Sequence, residues 1–259
     1  WNASFPVPVV TGTVVTFANH PVTGAWNCIL DNASVAVQEL SVGDSLVDTI
    51  VVQVSDGNGG TDSANVSVTI YGSNDTPVIS AITYDNDSVT EDGAVQTASG
   101  AVVASDIDKN DTLSFNVVGS ATGTYGTLAL DPNTGTWSYV LDNSSAAVQA
   151  LAAGQTVLET FAVQVSDGNG GFDTDTISLD VNGSNDVPVI NGTVFNVREV
   201  TEDGGLIARG LIDVTDIDTH DTLSFTVLGR ANGGYGPLTV AQEEGWGQER
   251  QHDNQRGGG

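Results

Sequence analysis

The chain contains the same long segment twice, and this repeat limits its fold more than any other feature of the sequence. The motifs DGNGG, SNDxPVI, TEDG and DIDxxDTLSF occur twice in the same order, and their first copies lie between Asp56 and Phe115. The second DGNGG begins at Asp167, 111 residues after the first. The spacing is 110 residues for the acidic motif, whose copies begin at Asp106 and Asp216. A long and nearly constant period is typical of a tandem array of similar domains.

The repeat divides the chain into one complete module and two truncated ones. Residues 73–183 hold the complete module, and residues 1–72 align with the second half of it. Residues 184–240 align with the first half of a further module. Residues 241–259 are predicted to be a disordered tail, because Gly, Gln and charged residues dominate them. A module of about 110 residues is long enough to bury a single hydrophobic core.

The complete module has the residue pattern of an all-β domain. Apolar and polar residues alternate in segments such as 112–118, and DPNTG at 131–135 has the composition of a hairpin turn. Trp137 is predicted to anchor the core, with Trp26 as its equivalent in the first module. Residues 144–153 break the alternation and predict a short helical crossover. About seven short strands in about 110 residues predict a Greek-key β-sandwich.

The charge of the chain excludes several classes of partner. The formal net charge is −27, from 33 acidic and 6 basic residues, and Lys109 is the only basic residue before Arg198. Such a chain repels nucleic acids and anionic membranes, so we predict no nucleic-acid partner. The acidic residues recur at fixed places in the repeat, and this regularity favours cation binding over a general contribution to solubility.

Cysteine content and hydropathy add two further expectations. Cys28 is the only cysteine, so an intrachain disulfide is excluded, and a packed thiol is expected there. The sequence has no run of 18 apolar residues and no signal peptide, which predicts no membrane insertion. Trp1 is therefore expected to be an internal cut in a longer protein.

The acidic motifs have the oxygen-rich composition that Ca²⁺ prefers. Calcium takes about six to eight oxygen ligands from carboxylates, side-chain amides and backbone carbonyls. Residues i and i+2 of an extended chain face the same side, so Asp106 and Asp108 are predicted to point together while Ile107 faces the core. The spacing does not fit an EF-hand, because Asp111 and Val117 occupy the positions that require glycine and glutamate.

A second interpretation of the same residues is purely structural. Asp, Asn and Gly are the usual turn formers, and this accounts well for DGNGG. It accounts less well for the acidic pair that follows the SNDxP and TED motifs. Clustered carboxylates with few basic neighbours repel one another, and a divalent cation relieves that repulsion. Thiols and imidazoles are scarce, which disfavours zinc and copper and leaves calcium as the predicted ion.

As a set, these motifs resemble the VCBS and cadherin-like repeats of bacterial surface adhesins, including secreted RTX-type adhesins. The similar pattern reads DxDxxDTLSF, YGTLxLDPxTGxWxYxLDN, VQALxAGQ, FxVxVxDGNGG and GSNDxPVI, and it covers about residues 13–236. The resemblance implies an extracellular array of β-sandwiches on the bacterial cell surface. It also implies calcium between the modules and a role in adhesion or biofilm formation. The expected partners are the neighbouring repeats and a cell-surface or glycan target, and the chain itself is expected to be a monomer.

The resemblance also assigns ligands to two junctions between modules. At the first junction it implies Asp31, Asn74, Asp75, Asp106, Asp108 and Asp167. At the second it implies Glu91, Asp142, Asn185, Asp186, Asp216 and Asp218. Tyr71 and Asn182 stand where the cadherin linker has its leading Asp, which implies fewer ions at each junction.

Three functions can be compared on the sequence alone. The first is a calcium-stiffened extender segment of an adhesin. The second is a carbohydrate-binding module that uses exposed aromatic residues such as Tyr125 or Tyr235. The third is a glycosidase with paired carboxylates. The acids recur in repeated linker motifs instead of forming one unique group, so we predict that the chain is not an enzyme.

Overall fold

The computed structural model describes residues 9–197, 199, 201, 204, 209–226, 228, 232–233 and 236–237. The chain divides into two compact units, Trp1–Ser184 and Asn185–Gly259. Within the described residues, β-strands predominate and the helices are single turns, so the predicted all-β class is confirmed. No helix in this part of the chain is long and apolar enough to span a membrane. The predicted tail at 241–259 lies outside the described residues, as do Glu202 and Tyr235.

The first module consists of a three-stranded sheet, a short helix and a long hairpin. Its elements are β1 (Val9–Thr11), β2 (Val15–Asn19), β3 (Trp26–Leu30), α1 (Val35–Gln38), β4 (Ser45–Ser55) and β5 (Thr61–Tyr71). The sheet has the order β1-β2-β3, and β4 pairs with β5; all of these pairings are antiparallel. Among the described strands, β3 has a hydrogen-bonded neighbour on one side only, namely β2.

The complete module is a sandwich of two four-stranded sheets. Its elements are β6 (Val78–Asn86), β7 (Ser88–Thr90), β8 (Thr97–Ser105), β9 (Ser114–Val117), β10 (Gly126–Leu130), β11 (Thr136–Leu141), α2 (Ala146–Gln149), β12 (Thr156–Ser166) and β13 (Phe172–Asn182). One sheet has the order β10-β11-β8-β6 and the other has the order β7-β13-β12-β9. Only β7 and β13 pair in parallel within this module. The predicted cadherin-like sandwich is confirmed, with eight strands.

Trp137 lies in the core between the two sheets, as predicted. Its side chain is 3% exposed and meets the Tyr84 ring edge-on, with 5.4 Å between the ring centroids. On β8, Gly100 pairs with Trp137, and a side chain at this glycine would collide with the Thr83 carbonyl and the indole. The predicted turn before Trp137 is also present, with Gly135 at φ +71°. Positive φ is the conformation that favours glycine.

The equivalent tryptophan of the first module is in a different environment. Trp26 stacks on Phe17 with 5.4 Å between the ring centroids, but 51% of it is exposed. Within its described residues, the first module has no counterpart of β6 or β8, so nothing covers the outer face of Trp26. The prediction that Trp26 is equivalent to Trp137 therefore holds for the repeat but not for burial.

One buried carboxylate recurs in both modules and accepts two hydrogen bonds in each. Asp48 accepts hydrogen bonds from the Val14 and Val15 N–H groups, at 2.9 and 3.2 Å. Its counterpart Glu159 accepts from the Tyr125 N–H at 2.9 Å and from the Tyr139 hydroxyl at 2.5 Å. Burial, and then this hydrogen bond, raise the pKa of the Tyr139 hydroxyl. Each carboxylate ties separate strands together inside an otherwise apolar core.

The described part of the third module consists of two antiparallel strand pairs. They are β14 (Val189–Val197) with β15 (Arg209–Thr215), and β16 (Asn232–Gly233) with β17 (Gly236–Pro237). In register, β14 and β15 match β6 and β8: Val189 pairs with Thr215 as Val78 pairs with Ser105. This unit thus repeats the first hairpin of the sandwich.

Candidate metal centre

The linker between β5 and β6 (residues 72–77) is hydrogen-bonded directly to two acidic loops of the complete module. The Asp75 N–H donates to Asp108 Oδ2 at 2.8 Å. The Asn74 side-chain amide donates to Asp167 Oδ2 and to the Asp75 carbonyl, both at 2.8 Å. Three segments that are distant in sequence from one another, at Asn74–Asp75, Asp108 and Asp167, are therefore held at one end of the sandwich.

The acidic loop that contains Asp106 differs from its predicted geometry. Asp108 is 3% exposed, whereas Ile107 is 46% exposed and does not face the core. The prediction for Ile107 is wrong because β8 ends at Ser105, so strand alternation does not continue into the loop. The loop instead bends back on itself, and the Asp108 N–H donates to Asp106 Oδ1 at 3.1 Å.

A third acidic side chain of the same motif joins the site. Oxygen atoms of Asp106, Asp111 and Asp167 all lie within 4.8 Å of one another. The Asn169 amide donates to Asp111 Oδ2 at 2.9 Å. Asp111 is absent from the ligand set inferred from sequence, although it is part of the repeated DxDxxD pattern and recurs as Asp221. The repeat itself was therefore the signal that could have identified it.

The DGNGG turn holds Asp167 in its orientation. Asp167 Oδ1 accepts from the Asn169 N–H at 2.7 Å and from the Gly171 N–H at 3.0 Å. A Cβ atom at Gly171 would collide with the Asp167 carboxylate, and it would lie 3.1 Å from both Asn74 Nδ2 and Thr76 Cα. Glycine is required here because the turn and the linker approach each other closely.

The carboxyl groups of this site differ in their electrostatic environment. Burial raises the pKa of Asp108; the Asp75 N–H partly offsets this, and the charges of Asp111, Asp75 and Asp106 raise it further. Burial also acts to raise the pKa of Asp167, but hydrogen bonds from the Asn74 side chain and from the backbone of its own turn outweigh burial and lower it. Asp108 is therefore the carboxylate that most needs a compensating positive charge.

Several buried oxygen atoms at this site have no hydrogen-bond donor. They are Asn74 Oδ1, Asp106 Oδ2 and Asp108 Oδ1. A buried polar atom without a partner costs roughly 1–3 kcal/mol, so such atoms are rare in folded proteins. The ammonium of Lys109 does not supply the missing charge, because it lies 3.8 Å from Glu39. Carboxylate and amide oxygens are the ligands of Ca²⁺, so the donor set fits this ion.

The same loop also contacts the first module. The Lys109 N–H donates to the Glu39 carbonyl at 3.3 Å, and the Asn110 side-chain amide donates to Asp44 Oδ2 at 2.9 Å. Asp31, which the resemblance implies as a ligand, makes none of these contacts. It is exposed, and its Oδ1 accepts from the Ala33 N–H at 3.2 Å. Its assignment as a ligand stays a prediction.

The second acidic loop repeats this hydrogen-bond pattern within the unit that begins at Asn185. The Asp186 N–H donates to Asp218 Oδ2 at 2.8 Å, and the Asp218 N–H donates to Asp216 Oδ1 at 3.2 Å. The Asn185 amide donates to the Asp186 carbonyl at 2.5 Å. Asp218 Oδ1 is buried without a hydrogen-bond partner, as is its counterpart Asp108 Oδ1. The geometry of the junction therefore follows from the motif itself.

The two remaining predicted ligands of the second junction lie in the complete module. Glu91 is fully buried and accepts from the Gln149 side chain at 2.9 Å and from the Ser184 N–H at 3.2 Å. Asp142 is exposed, and its Oδ1 accepts from the Ser144 hydroxyl at 2.7 Å. Gln149 was not identified from the sequence, because a glutamine in a short helix carries no recognisable signal. The ligand roles of Glu91 and Asp142 stay predictions.

The aromatic residue proposed for glycan binding is not freely exposed. Tyr125 is half-buried and packs against the core of the complete module. Its N–H is the group that donates to Glu159 at 2.9 Å. The other candidate, Tyr235, lies outside the described residues.

Comparison with known proteins places the complete module in a family. Residues 74–183 match the family model of the bacterial cadherin-like domain. No curated protein matches the chain. Similar solved structures include the protocadherin GammaB4 extracellular domain, with 19% identity and a TM-score of 0.44 over 83% of this chain and 33% of that one.

Two further structures show the same low identity. Human CDH23 EC21-23 is 16% identical, with a TM-score of 0.39 over 78% of this chain and 62% of that one. Drosophila N-cadherin EC1-4 is 15% identical, with a TM-score of 0.35 over 70% of this chain and 42% of that one. The chain thus spans less than two thirds of each of these structures. Together with the sheet order described above, the family match identifies the complete module as a cadherin-like repeat.

Proposed function

We propose that this chain is a calcium-stiffened segment of an extracellular, adhesion-type array on a bacterial cell surface. A cadherin-like repeat supports a structural role in adhesion. The observation that carries the calcium proposal is the group of buried, unpartnered oxygens on Asn74, Asp106 and Asp108. These atoms come from the linker and from one loop of the module, so an ion held by them joins the two. A role in biofilm formation and an RTX-type parent protein are part of the same proposal.

The residues around the site have distinct roles in holding the ion. Asp106, Asp111 and Asp167 supply carboxylate oxygens that lie within 4.8 Å of one another. Asn74 and Asp108 supply the buried oxygens that lack donors. A bound calcium ion supplies the positive charge that offsets repulsion among these acids. Extracellular calcium modules bind with dissociation constants of about 10⁻⁴–10⁻³ M, which suits calcium-rich surroundings.

A test of this proposal compares the wild-type chain with a variant of one junction. Isothermal titration calorimetry measures calcium binding, and small-angle X-ray scattering measures flexibility with calcium and with a chelator. We expect millimolar or tighter binding and a narrower distribution of dimensions when calcium is present. The double variant Asp106→Asn/Asp167→Asn removes two charges at the first junction and should reduce this difference to what the second acidic loop contributes.

A matched control removes charges elsewhere in the same module. Asp87 and Asp175 are exposed and lie outside the carboxylate cluster. The variant Asp87→Asn/Asp175→Asn should bind calcium as the wild type does. Scattering profiles that are identical with calcium and with chelator, together with no heat of binding, would disprove the proposal.

A further inference from the structure

The first junction contains a short hinge between two anchored segments of the linker. Towards the first module, the Gly72 N–H donates to the Asp44 carbonyl at 3.1 Å. Towards the complete module, the Asn74 side chain and the Asp75 N–H donate to two of its carboxylates, each at 2.8 Å. The backbone from Gly72 to Asn74 is therefore where the orientation of one module against the other is set.

Two side-chain contacts cross this hinge, and neither uses a proposed calcium ligand. Lys109 Nζ lies 3.8 Å from Glu39 Oε2, and the Asn110 side-chain amide donates to Asp44 Oδ2 at 2.9 Å. The Lys109 N–H also donates to the Glu39 carbonyl at 3.3 Å. The acidic loop at 106–111 therefore does two things at once: its aspartates form the carboxylate cluster, and the two residues between them contact the first module.

The charge of Lys109 explains why this contact needs a lysine. It is the only basic residue before Arg198. The aspartates of its loop carry the same sign of charge as Glu39 and Asp44, so without a cation the two sides of the hinge repel each other. The Lys109 ammonium replaces part of this repulsion with an attraction to Glu39.

All four contact residues differ at the equivalent positions one repeat later. The counterparts of Glu39, Asp44, Lys109 and Asn110 are Ala150, Gln155, Thr219 and His220, respectively. Neither Ala150 nor Thr219 carries a charge, so residue type alone excludes an ion pair at those two positions. The backbone frame is nevertheless repeated, because the Gly183 N–H donates to the Gln155 carbonyl at 2.9 Å. The side chains of the contact thus differ on both sides together, whereas the acidic motif stays the same.

We propose that Glu39, Asp44, Lys109 and Asn110 form an interface that orients the first module against the complete module without calcium. The interface deepens the proposed function, on which it rests, by giving this junction a second source of stiffness. It is selective for its partner, because a module end with carboxylates at positions 39 and 44 matches a loop that carries a lysine and an amide.

The size of the effect decides how it has to be measured. Lys109 and Glu39 are 73% and 39% exposed, so water screens their attraction. An exposed pair of this kind favours one arrangement over others by roughly two- to fivefold. We therefore expect a change in the distribution of module orientations, and almost none in the melting temperature.

The experiment measures the distance between the first and the complete module in the 259-residue chain. Nitroxide labels at Val51→Cys and Leu158→Cys, in a Cys28→Ser background, lie on β4 and β12, where the native side chains are 65% and 63% exposed. Double electron–electron resonance in chelator gives the distribution of this distance. Both labels precede the second junction, so its flexibility does not enter the measurement.

The variants replace contact residues by their counterparts or exchange their charges. In chelator, Glu39→Ala and Lys109→Thr should each broaden the distance distribution, and the double variant should broaden it no further than one of them does. The exchange Glu39→Lys/Lys109→Glu should narrow it again. Asp44→Ala tests the second contact and should also broaden it. The matched control Asp62→Ala removes one exposed charge at the end of β5 that is far from the linker, and should leave the width unchanged.

Two results would overturn the interface. One is a wild-type distribution in chelator that is as broad as that of Glu39→Ala. The other is a charge exchange that leaves the distribution as broad as each single variant does.

Calorimetric titration keeps this proposal separate from the calcium site. Glu39→Ala and Asp44→Ala should bind calcium as the wild type does, because neither residue is a proposed ligand. Calcium that narrows the wild-type distribution, while no variant differs from the wild type in chelator, would contradict the interface alone. Variants that broaden the distribution in a chain that takes up no calcium would contradict the calcium proposal alone.

Discussion

Asp108 is a buried carboxylate whose pKa is raised, chiefly by burial. We expect Asp108→Asn to weaken calcium binding at least about tenfold, since loss of even an outer-shell partner of a metal typically has an effect of 10–100-fold. Without calcium, the same variant should unfold at a higher temperature than the wild type, because it removes an uncompensated buried charge. Calorimetric titration and thermal unfolding measure the two effects. Asp87→Asn, at an exposed position of the same module, should change neither.

The pH dependence of stability provides a second check on Asp108. Because its folded-state pKa is raised, its contribution to stability is fully present below its unfolded value of 3.8 and is lost as pH rises through the folded value. The advantage of Asp108→Asn in calcium-free buffer should therefore be present at about pH 7 and disappear towards about pH 4. Thermal unfolding of both proteins across this range measures the difference. An advantage that grows on acidification would contradict the assigned environment of Asp108.

Asp167 responds to pH in the opposite direction. Its folded-state pKa is lowered, so its contribution is present above the unfolded value of 3.8 and is lost as pH falls through the folded value. As pH falls, the contribution of Asp167 to stability is therefore lost while that of Asp108 is restored, so these two carboxylates change the free energy of unfolding in opposite directions. The environment of each residue, and not its membership of the acidic cluster, sets the sign of its contribution.

At the level of elements, the DGNGG turn occurs twice and serves as its own control. The three heavy atoms nearest to a Cβ atom at Gly60 would all belong to Asp56, whereas at Gly171 the nearest three would include atoms of Asn74 and Thr76 in the linker. We expect Gly171→Ala to reduce calcium affinity about tenfold through the displaced Asp167 carboxylate, and Gly60→Ala to leave it unchanged. Calorimetric titration of both variants measures this. Equal losses would show that the turn acts only through local stability.

The strands were predictable from sequence to the extent that local alternation decides them. The hairpin around Gly135 and the burial of Trp137 follow from residues that lie within one module. The exposure of Trp26 does not follow from local alternation, because the described residues of the first module contain no counterpart of the strand that pairs beside Trp137. The predicted orientation of Ile107 was wrong for a related reason. The end of β8 is set by its pairing with β6 and not by the acidic motif.

The sequence predicted which types of residue form the candidate site, but not how their side chains are arranged. The motifs indicated acidic residues at the junction, and the structure brings Asn74, Asp75, Asp106, Asp108 and Asp167 together. The repeat could have pointed to Asp111, but its distance from Asp106 and Asp167, like the separate environment of Asp31, depends on how the loops bend. Loop geometry of this kind is fixed by hydrogen bonds between residues far apart in sequence, and a single sequence does not specify them.

For the whole molecule, calcium should act as a stabilising ligand of predictable size. At a concentration about 100 times the dissociation constant, one bound ion stabilises the folded state by about 2.7 kcal/mol. For a domain of about 100 residues this corresponds to a rise of roughly 10 °C or more in melting temperature. Scanning calorimetry with calcium and with chelator measures the shift. Mg²⁺ should give a smaller shift, because it prefers a tight octahedral set that keeps several waters; equal shifts would indicate nonspecific charge screening.

The parallel pairing of β7 with β13 determines how the complete module responds to mechanical tension. The Asp180 N–H donates to the Asp87 carbonyl and the Glu91 N–H donates to the Asn182 carbonyl, each at 2.9 Å, so the entry and exit segments are bonded side by side. Pulling the two ends apart loads these bonds together in shear, whereas pulling open the β12–β13 hairpin peels its bonds one by one. Force spectroscopy should record a higher rupture force for the first direction than for the second. A cell tethered through such repeats in flowing liquid would then be held by a link that resists drag along the direction in which the chain runs.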